Sequence, residues 1–113
     1  MFAAHHRLDN LNLMVDNNSI AMLGFTDEIV SHGSLSEKFK AFGWETTEIN
    51  GHDIKVVQDT LSRNKAIRNK KPKVVIAKTL KGRGVPGLEN QPLSHIINPR
   101  IEALDAILGA ESE

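Results

Sequence analysis

The chain has no cysteine, no excess of either charge, no long apolar run and no internal repeat. Without cysteine there is no disulfide, thiolate metal site or cysteine nucleophile. A reducing compartment is compatible with that, and a cytoplasmic location is expected. Fourteen basic residues balance fourteen acidic ones. A formal charge of zero removes the general attraction that nucleic acid or an anionic membrane exerts, so neither is expected as a partner. No segment approaches the roughly 18 apolar residues of a membrane span. The first ten residues carry histidines and further charges where a secretory leader needs an apolar core.

What remains is the composition of a soluble globular protein, 40% hydrophobic and 25% charged. At 113 residues the expectation is one small domain over residues 1–113. A domain of this size hides a smaller share of its surface than a longer one, so an interface with another chain adds much to its stability.

Several segments have a readable period. Residues 11–15 (LNLMV) form a short apolar run before the turn formers Asp16, Asn17 and Asn18, which predicts a buried strand that delivers a polar loop. Ser34 and Glu37 have capping-box spacing, and Leu35, Phe39 and Phe42 share a helical face before Gly43 stops the helix. Residues 44–49 (WETTEI) predict a second strand. Asp53 caps a second helix running to about Arg68, with Ile54, Val57 and Leu61 on one face. Residues 73–79 (KVVIAKT), rich in β-branched side chains after Pro72, predict the third strand. Lys70, Lys71 and Lys73 are expected in a solvated stretch around its start.

A long loop with no regular pattern follows, to Asn98. Asn98 as N-cap, Pro99 as first helical residue and Ile101, Leu104 and Leu108 on one face predict a last helix ended by Gly109. Residues 1–6 are compatible with a helix. Strands alternating with helices imply an α/β fold, a short parallel sheet with flanking helices and right-handed crossovers. Three strands leave at least one long edge open, and the missing cover is expected on the N-terminal side.

Several motifs agree in order and spacing with one known family. They are Leu8-Asp9-Asn10-Leu11, Val15 to Ile20 (VDNNSI), Gly24-Phe25-Thr26-Asp27, Lys38 to Trp44 (KFKAFGW), Gly51-His52-Asp53 and Ala77 to Val85 (AKTLKGRGV). The chain resembles transketolase along nearly its whole length. It is nearest to transketolases whose two halves are separate subunits, and corresponds to the distal part of the first subunit's diphosphate-binding domain. The resemblance implies an incomplete thiamine-diphosphate-binding fold.

It also implies the cofactors thiamine diphosphate and Mg²⁺. Asn18 is then the side-chain metal ligand and Ile20 a carbonyl metal ligand, both also cofactor-binding. His95 falls in the place of a family histidine near the diphosphate and the substrate, where it serves cofactor binding and catalysis. Oxygen ligands suit a small hard cation that bridges phosphates. Gly82-Arg83-Gly84 forms a Gly-x-Gly loop outside a strand's carboxyl end, where ligands of open α/β sheets bind. Asp53 and His52 have a sufficient structural role, and His5, His6 and His32 are expected to face solvent.

The family's Gly-Asp-Gly segment, which supplies an acidic metal ligand, is not found before Asn18, nor is a pyrimidine-binding domain present. The implied activity, transfer of a two-carbon ketol unit between sugar phosphates, is therefore expected only in an oligomer with a chain carrying the Gly-Asp-Gly half and a pyrimidine-binding subunit. The alternatives are a non-catalytic interaction module that keeps the fold, and part of a related thiamine enzyme such as deoxyxylulose-phosphate synthase.

Overall fold

The computed structural model describes residues 1–98 and 100–110. In chain order the elements are α1 (Phe2–His5), β1 (Asn12–Asn17), β2 (Ile20–Ala21), β3 (Gly24–Phe25), α2 (Thr26–Ile29), α3 (Leu35–Ala41), β4 (Glu45–Asn50), α4 (Ile54–Ala66), β5 (Lys73–Lys78), a 3-10 turn (Pro92–His95) and α5 (Ile101–Ala110). They fall into two compact units, Met1–Asn17 with His32–Thr79, and Asn18–Ser31 with the chain from Leu80 onward.

The first unit is a three-stranded parallel sheet in the order β1-β5-β4, with Val15 opposite Ile76 and Thr46 opposite Val74. The last strand in the chain takes the centre. A central parallel strand is covered on both faces and must be apolar almost throughout. Only β5 meets that demand, and its Val74, Val75, Ile76 and Ala77 are buried. Ile49, Val75 and Ala77 form the core, with Val57 of α4 packed against them. Helix α3 packs on β4 and β5. The step from β1 to β4 and the return to β5 run in opposite directions across the sheet. The right-handed crossover rule therefore puts α3 and α4 on opposite faces.

Strand β1 holds one edge. Its Leu13 and Met14 point to opposite faces, and they are 37% and 44% exposed. The strand thus lacks full cover on both faces, as expected of the open edge. It also runs further than its sequence implied, because Asp16 and Asn17 pair with Ala77 and Lys78 and the turn begins only at Asn18. Ladder pairing outweighs the turn preference of Asp and Asn, since strand propensity depends on context.

Local signals account for the helix ends. The Ser34 hydroxyl accepts the Glu37 N–H at 3.1 Å, and Asp53 Oδ1 accepts the Val56 N–H at 3.1 Å. Helix α3 gives way to Gly43, whose φ of 86° requires the left-handed region that glycine tolerates best.

Two expectations are corrected here. Helix α4 buries Thr60 and Asn64 and half-buries Val57, leaving Ile54 75% exposed and Leu61 at the surface. Both stripes contain Val57 and have helical spacing, so periodicity alone does not choose between them. Lys73 is not solvated but fully buried. Its ammonium donates to the Asp9 carbonyl at 2.9 Å, the Lys71 carbonyl at 3.3 Å and Asn69 Oδ1 at 3.5 Å. A buried charge is tolerated when its donors are satisfied. Asp9 also accepts the Lys70 N–H at 3.1 Å, so the segment before β1 is tied to the start of β5.

Helix α5 spans Ile101–Ala110 and so continues through Gly109, the residue expected to end it. Pro99 lies outside the described residues. Among the described residues no helix is long and apolar enough to cross a membrane.

Candidate functional site

The second unit starts where β1 ends. Asn18 Oδ1 accepts the Ile20 N–H at 3.0 Å, an asparagine turn that closes across Ser19. Ser19 sits at a φ of 61°. Its carbonyl accepts the Thr26 N–H at 3.0 Å and the Thr26 hydroxyl at 3.2 Å. Between those anchors β2 and β3 form a short antiparallel hairpin, Ile20 opposite Phe25 and Ala21 opposite Gly24. The hairpin left no mark in the sequence because two-residue strands are too short to show a period.

Residues 80–91 fold back on themselves. The Asn90 N–H donates to the Lys81 carbonyl at 2.8 Å. The Arg83 and Val85 amides donate to the Leu80 and Gly82 carbonyls at 3.3 and 3.1 Å, and the Gly84 N–H donates to Glu89 Oε1 at 2.9 Å. Gly82 combines a φ of 73° with the close approach of Leu88. A Cβ there would stand 2.5 Å from the Leu88 carbonyl oxygen, so only glycine fits. The Arg83 and Gly84 amides are thus spent inside the loop and are not turned toward an external anion.

The loop leads into the 3-10 turn, which packs against β3 and carries His95. Ile20, Ala21, Met22, Lys81 and His95 together line a cavity of about 230 Å³. The hairpin gives it apolar walls, while Lys81 and His95 supply nitrogen groups at the end of one loop and the end of one turn. Among the described residues no hydrogen bond or ion pair engages either side chain. Among the described residues no carboxylate lines the cavity. An ammonium and an imidazole over an apolar floor suit the oxygens of an anion such as a phosphate, with Lys acting as a point charge. Drug-sized ligands fill roughly 300–1,000 Å³, so this space suits a group within a larger molecule.

A sequence profile described as transketolase, thiamine diphosphate binding domain, matches residues 1–111. The chain belongs to the transketolase family. It is 40% identical over 106 residues to an apulose-4-phosphate transketolase subunit from Actinobacillus succinogenes, covering 94% of this chain and 38% of that protein. It is 34% identical to human transketolase-like protein 2, covering 95% of this chain and 17% of the other. The crystal structure of Campylobacter jejuni transketolase superposes with a TM-score of 0.86 at 30% identity, over 98% of this chain and 17% of that one. The chain therefore spans about two fifths of the length of the Actinobacillus protein and under a fifth of the other two.

Within this transketolase-family fold the three residues singled out from sequence stand as follows. Ile20 and His95 line the same cavity. Asn18 is not among its lining residues but is bonded to the Ile20 amide. Lys81 is the residue that sequence reasoning passed over. Its neighbours Gly82 and Gly84 drew notice, yet a lysine beside glycines carries no signal until a histidine fourteen positions on meets it across a cavity. The Ser94 hydroxyl, next to His95 in the chain, is buried with no hydrogen-bond partner among the described residues.

The other candidates separate from this group. Asp16 lies in the first unit, where its carboxylate accepts a hydrogen bond from the Thr79 hydroxyl. His5 and His6 are exposed as expected and their rings meet edge to face, whereas His32 is half-buried with Nδ1 2.8 Å from the Gly33 carbonyl. Among the described residues no group of three or more His, Cys, Asp or Glu stands together as a metal site. Of the two metal ligands expected from the resemblance, the Asn18 amide oxygen already accepts one hydrogen bond, from the Ile20 N–H, and Ile20 offers only a backbone carbonyl. Two neutral donors do not fit a self-sufficient Mg²⁺ site, because that ion sheds water reluctantly and is normally held by carboxylates and phosphates.

Proposed function

We propose that this chain is one component of a transketolase-like, thiamine-diphosphate-dependent enzyme that transfers a two-carbon ketol unit between sugar phosphates. Residues 1–113 serve as the distal part of its diphosphate-binding domain. The observation that carries the reading is the cavity shared by Ile20, Lys81 and His95, in a chain whose family is a thiamine diphosphate binding domain. Bound thiamine diphosphate supplies the electron sink that makes the ketol carbanion accessible, and the protein contributes binding, orientation and electrostatics.

In this reading Lys81 and His95 donate hydrogen bonds to phosphoryl oxygens, and Ile20, Ala21 and Met22 keep water from the same side. His95, at the end of the 3-10 turn, also approaches the sugar substrate. Asn18 and the Ile20 carbonyl complete the coordination of a Mg²⁺ whose carboxylate ligand comes from another chain. A pyrimidine-binding subunit is needed as well. Support for separate subunits comes from relatives named as subunits, among them the 6-deoxy-6-sulfo-D-fructose transketolase subunit of a Clostridium species, 34% identical over 95 residues. An oligomer follows from this division, and its placement in the cytoplasm is part of the same proposal.

The test is calorimetric titration of thiamine diphosphate with Mg²⁺, first into the chain and then into an assembly reconstituted with products of neighbouring genes. The chain alone should bind weakly and the assembly tightly. In the assembly Asn18→Ala should abolish metal-dependent retention of the cofactor, and His95→Ala should lower turnover more than cofactor affinity. An Asn18→Ala assembly that retains cofactor and turnover unchanged would sink the ligand assignment. A second reading, a non-catalytic interaction module, draws on the finding that none of the described residues lining the cavity is a carboxylate. Partner binding without any cofactor retention would favour it.

A further inference from the structure

A side-chain contact closes residues 80–91, the 2.9 Å hydrogen bond from the Gly84 N–H to Glu89 Oε1. The next residue, Asn90, sends its N–H to the Lys81 carbonyl at 2.8 Å from a φ of 53°. That is left-handed backbone, which asparagine tolerates but which needs surrounding structure to hold it. Lys81 is thus fixed at one end of the closure, and the carboxylate lies one residue from the other. Hydrogen bonds from a backbone amide to a carboxylate are roughly twice as strong as neutral ones. Successive backbone amides in glycine-rich turns are natural anion holders. Here an anion from the chain itself occupies the Gly84 amide. Glu89 is exposed and does not line the cavity, so it acts on a ligand only through the loop.

We propose that Glu89 is a positioning residue: its carboxylate acts as an internal anion that clips residues 80–91 shut and thereby holds Lys81 beside His95 at the cavity. The functional half of this inference rests on the reading of that cavity as a phosphate-binding site; the structural half does not. The clip has a second effect. With the Gly84 amide filled from within, an entering anion meets Lys81 and His95 rather than loop backbone, which favours a ligand placed by those two side chains.

The test compares the full chain with Glu89→Ala and Glu89→Gln, using amide hydrogen exchange by NMR and titration with inorganic pyrophosphate in the millimolar range. In Glu89→Ala, exchange at Gly84 and Asn90 should rise by about tenfold or more while amides of β5 stay unchanged, and pyrophosphate affinity should fall about fivefold, less than the full loss of a charge-assisted bond because the contact reaches the ligand only through the loop. Glu89→Gln keeps an acceptor oxygen and should recover both to within about threefold. That rescue would not appear if Glu89 merely filled space. Unchanged exchange at Gly84 and Asn90 in Glu89→Ala overturns the clip. Faster exchange with unaltered pyrophosphate affinity overturns the positioning role. A wild-type chain that binds no pyrophosphate overturns the cavity reading and the positioning role with it, while the exchange result still decides the clip.

Discussion

The two units of this chain are built on different principles. The first is a sheet whose middle strand is buried on both faces, with two side-chain-capped helices packed on the sheet. The second is a hairpin, a closed loop, a 3-10 turn and a helix, and it leaves Met22, Leu23, Ile96, Ile101 and Leu108 exposed. The first draws its order from apolar burial, the larger driving force. The second draws much of its order from hydrogen bonds by Ser19, Lys81, Glu89 and Asn90 that close its loops. Net hydrogen bonds contribute about 0.5–1.5 kcal/mol each. The cavity therefore lies in the unit with less burial of its own, and the apolar surface there suits the large partner interface of the proposed assembly.

Substitutions sharpen this contrast. The largest effect is expected at the centre of the sheet. Ile76→Ala should cost about 2–5 kcal/mol, read as a fall in the urea midpoint, because a fully buried isoleucine leaves a cavity. Next comes Lys73→Ala. Removing the ammonium strands the Asp9 and Lys71 carbonyls and should cost about 1–3 kcal/mol in the same measurement. Loss of protection at the Lys70 amide should accompany it. A stability change near zero would show that the buried lysine ties nothing together.

The smallest effect on folding is expected in the second unit. Leu23→Ser, at a turn position 85% exposed, should change stability by within about 0.5 kcal/mol. Its effect on association is expected to be larger, read by sedimentation with the partner chains. A Leu23→Ser chain that unfolds as readily as Ile76→Ala would erase the distinction between the units.

Much of the first unit was legible residue by residue. Ser34 and Asp53 announced their helices because a hydroxyl or carboxylate at an N-cap satisfies an amide a few positions on. The run from Lys73 onward announced the central strand because β-branched apolar residues in sequence fit a strand covered on both faces. What was misread there, the face of α4 and the burial of Lys73, depends on what each side chain meets. Thr60 and Asn64 share a helical stripe with Val57 as well as Ile54 and Leu61 do. Lys73 looks like its solvated neighbours until Asp9, far away in the chain, offers a carbonyl.

By itself, then, the sequence determined the α/β class, the caps and the apolar strand, since those depend on neighbours within a few positions. It also pointed by family resemblance to Asn18, Ile20 and His95. Tertiary structure alone decided that β5 lies between β1 and β4, that the Arg83 and Gly84 amides are spent inside their own loop, and that Lys81 shares a cavity with His95 and Ile20. Each of those outcomes joins residues that only folding brings together, through contacts whose strength depends on distance and burial and so leaves no period or spacing in the chain to read.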